Sequence, residues 1–307
     1  MNKSALRRLI KYGIQPLFQP WVPHQLRRLL MNSAKLLRGR SLQQVQHGLQ
    51  RQRLQLGGRD CYQVSPVTAT TLHILYLHGG GYTFGGVATH SQLVDGLALE
   101  LQATVWMPIY RLAPEHPFPA ALNDAIAAYQ ALLAQGIKAE QMMIAGDSAG
   151  GGLTLATALQ LREQQQPLPS RLLLLSPWLD LTVSLPSHTE RAARDPMLLP
   201  QGLRAAAQAY CQTTPTDHPL CSPLFADLTG LPPLTIQVGT DEILYDDAVQ
   251  LHARASAAGV PSDLQIYDDL WHVFQLHCHQ LPEATAAVRA LKVDVANRGL
   301  GRSPRGQ

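Results

Sequence analysis

The first 59 residues contain no aspartate or glutamate; the first acidic side chain is Asp60. Twelve of the 25 lysines and arginines come before it, leaving 13 to face all 22 acidic residues, so a basic head precedes an acidic body. No apolar run approaches the roughly 20 residues of a membrane-spanning helix, and the N-terminus shows no short apolar stretch followed by a small-residue cleavage site. Both absences argue against an integral membrane or secreted protein and lead us to expect a cytoplasmic one. The four cysteines, Cys61, Cys211, Cys221 and Cys278, form no CxxC pair and have no His/Cys cluster at zinc spacing beside them. Reduced thiols are therefore expected rather than disulfides or a zinc site. His272, His277 and His279 crowd together in "WHVFQLHCHQ". No further ligand can be assigned to them, and we expect neither a metal nor a cofactor.

What is present is ordinary for a globular protein: 307 residues, 46% hydrophobic and 15% charged. In the head, Leu6, Leu9, Ile10 and Ile14, and again Leu26, Leu29, Leu30 and Leu37, recur at helical spacing. We expect two amphipathic helices whose apolar faces pack on the body and whose arginines face water. An anchor on anionic membrane or on an acidic partner is the weaker reading of the same basic pattern, and aromatic–basic interleaving for nucleic acid is poor. From about Val45 the texture changes. "HGLQRQRLQL", a Gly57–Gly58 turn and "DCYQVSP" read as a hairpin, and short apolar runs then alternate with longer helical patterns as far as "PEATAAVRALKVDVANR". That alternation implies a mainly parallel sheet covered by helices on both faces. One segment, from about Asp180 to Pro223, breaks the rhythm with prolines and helix-like pieces, as insertions that build lids do.

"MIAGDSAGGG" places Gly146-Asp147-Ser148-Ala149-Gly150 between a strand pattern and a helix pattern, the setting of a nucleophile elbow. Gly146 and Gly150 flank a turn too tight for side chains, and Ser148 is the candidate nucleophile. A serine hydroxyl needs a base to take its proton and a carboxylate to orient that base. In the chain order Ser, acid, His, Asp241 follows the strand ending at Val238 and His272 follows the last strand. Glu242, Asp246 and Asp247 are read as the start of the next helix, and His277 and His279 as too far on. "LYLHGGGYTFGG" lacks the ending of a P-loop and the spacing of a dinucleotide fingerprint. It suits an oxyanion hole, where one donor is worth about 2.7–4 kcal/mol. The assigned donors are the N–H groups of Gly80, Gly81 and Ala149, with Gly79 in the same loop and His78 bracing it.

"HGGGY", "YRLAPEHPFPAALNDA", "GDSAGG", "DEILYDDA" and "WHVF" together resemble the hormone-sensitive-lipase-like family of α/β-hydrolase esterases, from about Leu72 to the last helix. The resemblance implies an α/β-hydrolase domain at residues 46–307. It also implies a helical cap built from residues 1–45 and an insertion at about 182–220. It further implies a serine esterase for short- to medium-chain acyl esters, with Ser148, His272 and Asp241 as triad, and pairing of two copies through the last strand. Amide hydrolysis or deacetylation of a small metabolite would use the same machinery. A ligand-binding protein that has lost catalysis is disfavoured by the presence of His272. Gly152 departs from the asparagine often found there, and a small packing consequence is expected.

Overall fold

The computed structural model describes residues 2–37, 48–68 and 70–298. Helix α1 (Lys3–Leu9) runs through a π turn at Ile10–Ile14 and a short 3-10 turn at Gln15–Phe18, and α2 (His24–Leu37) follows. The expected boundary between head and body, at residues 45 and 46, lies outside the described residues. Strands β1 (Leu49–Leu56) and β2 (Arg59–Pro66) pair antiparallel from Leu49 opposite Pro66 to Leu56 opposite Arg59. Gly57 and Gly58, both at positive φ, close the two-residue turn that right-twisted hairpins favour.

Beyond the hairpin the elements alternate as their patterns foretell: β3 (His73–Leu77), α3 (Val87–Leu101), β4 (Thr104–Pro108), α4 (Ala120–Ala134), β5 (Met142–Asp147), α5 (Ala149–Glu163) and β6 (Arg171–Leu175). The insertion carries α6 (Ser187–Glu190) and α7 (Pro200–Cys211). The fold then closes with β7 (Leu234–Gly239), α8 (Tyr245–Ala257), β8 (Ser262–Tyr267) and α9 (Pro282–Arg298). The eight strands form one sheet in the order β1-β2-β4-β3-β5-β6-β7-β8, parallel from β4 to β8. β4, β5, β6 and β7 are buried at every residue, which is why they read as unbroken apolar runs rather than alternating ones. α5 buries Ala149 to Leu159 and Leu161 against the middle of that sheet. The open end lies at the carboxyl ends of the parallel strands, where loops from several strands can converge.

The head departs from expectation. Leu6 and Ile10 are buried, but Leu9, Leu26, Leu29 and Leu30 stay exposed, while Arg27 is buried. Arg27 donates to the carbonyl of Leu17, at the end of the 3-10 turn ahead of α2, and to that of Gln19, which also accepts from Val22 N. Arg28 is committed as well, to both oxygens of Glu115 and to the carbonyls of Thr83 and Ala113. Arginine here supplies the docking contacts that leucine was expected to make.

Candidate active site

β5 delivers the chain to Ser148, which sits at φ 53°, ψ −123° immediately before α5. That strained conformation for a non-glycine residue persists because the neighbours enforce it. The Ser148 N–H donates to Leu175 O at 3.0 Å, and the Ser148 carbonyl accepts from Gly151, Gly152 and Trp178. A Cβ on Gly146 would collide with the Gly150 carbonyl, and one on Gly150 with the Leu77 carbonyl, so the glycines permit the close approach of β5, β3 and α5. Gly152 is tighter than expected: a Cβ there would strike Trp178 O and lie 2.8 Å from Tyr82 Oη. Gly152→Asn should therefore cost about 1–3 kcal/mol of stability by overpacking, seen as a lower melting temperature; an unchanged one would show that helix and loop can part cheaply.

Asp147, the variable residue of the elbow, ties it to the glycine loop after β3. It accepts from Tyr76 Oη at 2.6 Å and Gly79 N at 2.9 Å, and pairs with His90 Nε2 at 3.1 Å. Burial pushes its carboxyl up, but the charge of His90 and these hydrogen bonds hold it below the usual carboxylate range. Gly80 and Gly81 follow at φ 119° and 57°, and the Gly80 carbonyl turns back to accept from Thr83 and Phe84. Ala149, as first residue of α5, has no intrahelical acceptor for its N–H. His78 Nδ1 donates to Gly79 O at 2.8 Å and the ring stacks on Tyr110. Burial depresses its pKa to about 4, so it remains neutral and positions the loop.

The carboxylate partner of His272 is not the one the sequence suggested. His272 Nδ1 donates to Glu242 Oε2 at 2.9 Å, while Glu242 Oε1 accepts from Gly239 N at 2.6 Å and Ser176 Oγ at 2.9 Å. Ser176 Oγ in turn accepts from Val273 N, so one hydroxyl holds both the carboxylate and the histidine loop. Asp241, one residue earlier, points the other way and forms ion pairs with Arg7 Nη1 and Arg194 Nη2, each at 2.6 Å. Its role is to fasten the first helix and the insertion to the loop after β7. Asp246 and Asp247 do open α8, as expected, but Glu242 precedes it.

Burial alone would lower the His272 pKa. The hydrogen bond and charge of Glu242, with Asp195 and Asp147 behind it, more than offset this and raise it. Sequence reasoning also passed over Asp195, whose buried carboxyl accepts from Met197, Leu198 and Ile243 N–H groups and so joins the insertion to the Glu242 loop. Burial lifts it to about 6, against the pull of His272 and these donors.

Ser148, His272, Gly80 and Gly81 line a single cavity of about 790 Å³. Among the described residues no hydrogen bond yet joins Ser148 to His272, and such contacts are often long before substrate binds. Leu9, Ile14, Leu17, Phe18 and Leu30 from the head and Leu198, Leu199 and Leu203 from the insertion form its apolar walls. His277 lines the cavity too, whereas His279 lies at Gln92 O. No group of three or more His, Cys, Asp or Glu side chains is arranged to hold a metal among the described residues, where all four cysteines are free and buried.

Residues 74–276 match the model of a family with the α/β-hydrolase fold. The chain is 43% identical over 225 residues to an acetyl-hydrolase of Streptomyces hygroscopicus, covering 73% of this chain and 75% of that one. It is 34% identical over 296 residues to a putative acetyl-hydrolase of Mycobacterium tuberculosis, covering 95% and 93%. Among solved structures, a hormone-sensitive lipase from a metagenome library superposes with a TM-score of 0.90 at 38% identity, over 97% of this chain and 98% of that one. The esterase EstE5, soaked with p-nitrophenyl butyrate, gives 0.88 at 37% identity, over 96% and 97%. The chain belongs to the hormone-sensitive-lipase-like family of α/β-hydrolase-fold carboxylic ester hydrolases.

Proposed function

We propose that the protein hydrolyses short- to medium-chain acyl esters through an acyl-enzyme. Ser148 Oγ attacks the ester carbonyl as His272 takes its proton. The tetrahedral oxyanion meets the N–H groups of Gly80, Gly81 and Ala149, and His272 then returns the proton to the leaving alcohol. Water repeats the sequence on the acyl-enzyme, releasing the acid and restoring Ser148. Glu242 fixes the His272 tautomer and stabilises the imidazolium that forms. The observation that carries this reading is the 2.9 Å pairing of His272 Nδ1 with buried Glu242, in a cavity that Ser148 enters from a strained elbow.

The cap over the cavity is formed in the head by Leu9, Ile14, Leu17, Phe18 and Leu30 and in the insertion by Leu198, Leu199 and Leu203, since these supply its apolar walls. The cavity volume lies within the roughly 300–1,000 Å³ of sites that enclose one small ligand, which favours a modest acyl group over a long fatty chain. β8 ends the sheet with Ile266 half exposed, the edge through which the family likeness would pair two copies. Deacetylation of a small metabolite is the second reading, favoured by the acetyl-hydrolase names of two relatives. Steady-state turnover of acetyl, butyryl, octanoyl and palmitoyl p-nitrophenyl esters, with p-nitroacetanilide alongside, separates the two. We expect butyrate or octanoate to be turned over best, palmitate poorly and the anilide at least about a hundredfold more slowly. An anilide that matches the acetyl ester would transfer the function to amides.

A further inference from the structure

The described residues expose nine large apolar side chains, and six of them are Leu9, Tyr12, Trp21, Leu26, Leu29 and Leu30, all in the head. Leu26, Leu29 and Leu30 stand at i, i+3 and i+4 on α2, one continuous face that no other described element covers. Trp21, 75% exposed, and Tyr12, 73% exposed, are amphipathic aromatics of the kind that settle at a membrane–water interface. Scattered exposed leucines are unremarkable, but a cluster within one short segment marks a contact surface. The face also adjoins the cavity, because Leu9, Leu30 and Met31 belong to its lining.

Charge selects the occupant. The head carries no acidic residue, and Arg8 and Lys11, both exposed beside Leu9 and Tyr12, form no ion pair among the described residues. In a head-to-head contact between two copies these cations would meet no acidic partner, which disfavours a second chain there. An anionic phospholipid surface answers both the apolar face and the positive charge.

We propose that the head docks the protein peripherally on anionic phospholipid membranes, with the cavity mouth turned toward the lipid. Among the described residues no helix is long and apolar enough to cross a membrane, so the contact lies in the interface. An ester partitioned into the bilayer surface would then enter past Leu9 and Leu30. The docking stands independently of the proposed hydrolysis, and the outcomes that decide it are read from binding.

The full chain is sedimented with phosphatidylglycerol-containing and with pure phosphatidylcholine vesicles while tryptophan emission is followed. Trp106, Trp178 and Trp271 are buried, so Trp21 is the tryptophan that reports. We expect binding to the anionic vesicles, roughly tenfold weaker when salt shortens the screening length to a few ångströms, and a blue shift that Trp21→Phe abolishes. Leu26→Ser with Leu29→Ser, neither of which lines the cavity, should remove at least nine-tenths of the binding and leave p-nitrophenyl butyrate turnover within about twofold. No sedimentation with anionic vesicles, equal sedimentation with neutral ones, or binding that survives the double substitution would overturn the proposal. So would a dimer in solution that this substitution dissolves, since a second copy would then occupy the face.

Discussion

Glu242→Gln is expected to lower kcat/KM by about 10³–10⁴-fold while Asp241→Asn stays within about threefold of the parent, although the two carboxylates are adjacent in sequence. Glutamine keeps the shape of Glu242 and its bonds to Gly239 N and Ser176 Oγ, but offers His272 no charge and permits the wrong tautomer. A pH signature accompanies the loss. His272 acts as a base only when neutral, so kcat/KM falls as pH drops through its pKa, which Glu242 helps to raise. Removing the carboxylate should move that acidic limb to lower pH. Asp241→Asn instead breaks ion pairs to Arg7 and to Arg194, which are partly exposed. It should cost about 1–2 kcal/mol of stability and leave the pH profile in place. Equal rate losses in both variants would mean that the loop itself, rather than the Glu242 charge, is what His272 needs.

Ser148→Ala should cost about 10⁵–10⁶ in kcat, because without the hydroxyl the remaining groups can only assist water. The fold should be untouched. Alanine tolerates φ 53° no worse than serine, and the elbow is held by backbone bonds to Leu175, Gly151, Gly152 and Trp178 that the substitution leaves intact. A melting temperature unchanged within a few degrees would confirm that the lost rate is chemical. A variant retaining a tenth of the activity would remove Ser148 from the centre of the mechanism.

The sequence disclosed those parts of the site whose constraints are local. The elbow is legible because a strand, two glycines and a helix within a few residues leave a serine one place to go. The acid is not, because Asp241 and Glu242 follow the same strand and differ only in which side of the loop they face. That choice is made by the Gly239 N–H and by the hydroxyl of Ser176, 66 residues before Glu242, both of which donate to Glu242 Oε1. Helical periodicity in the head was equally plain, yet it could not say which face would be covered. Arg27 took the buried position because it satisfies the Leu17 carbonyl, which a leucine would have stranded, and Leu26 and Leu29 were turned outward on the same helix. At Gly152 the local motif suggested slack, and only the approach of Trp178 from the loop after β6 showed that there was none.

Labelling with a fluorophosphonate, read by peptide mass spectrometry across the parent and three variants, tests the triad most directly. One adduct on the Ser148 peptide is expected, absent in Ser148→Ala, formed at least about a hundredfold more slowly in Glu242→Gln and at near-parent rate in Asp241→Asn. An adduct elsewhere, or a labelling rate that falls in Asp241→Asn and not in Glu242→Gln, would contradict the assignment of Ser148, His272 and Glu242.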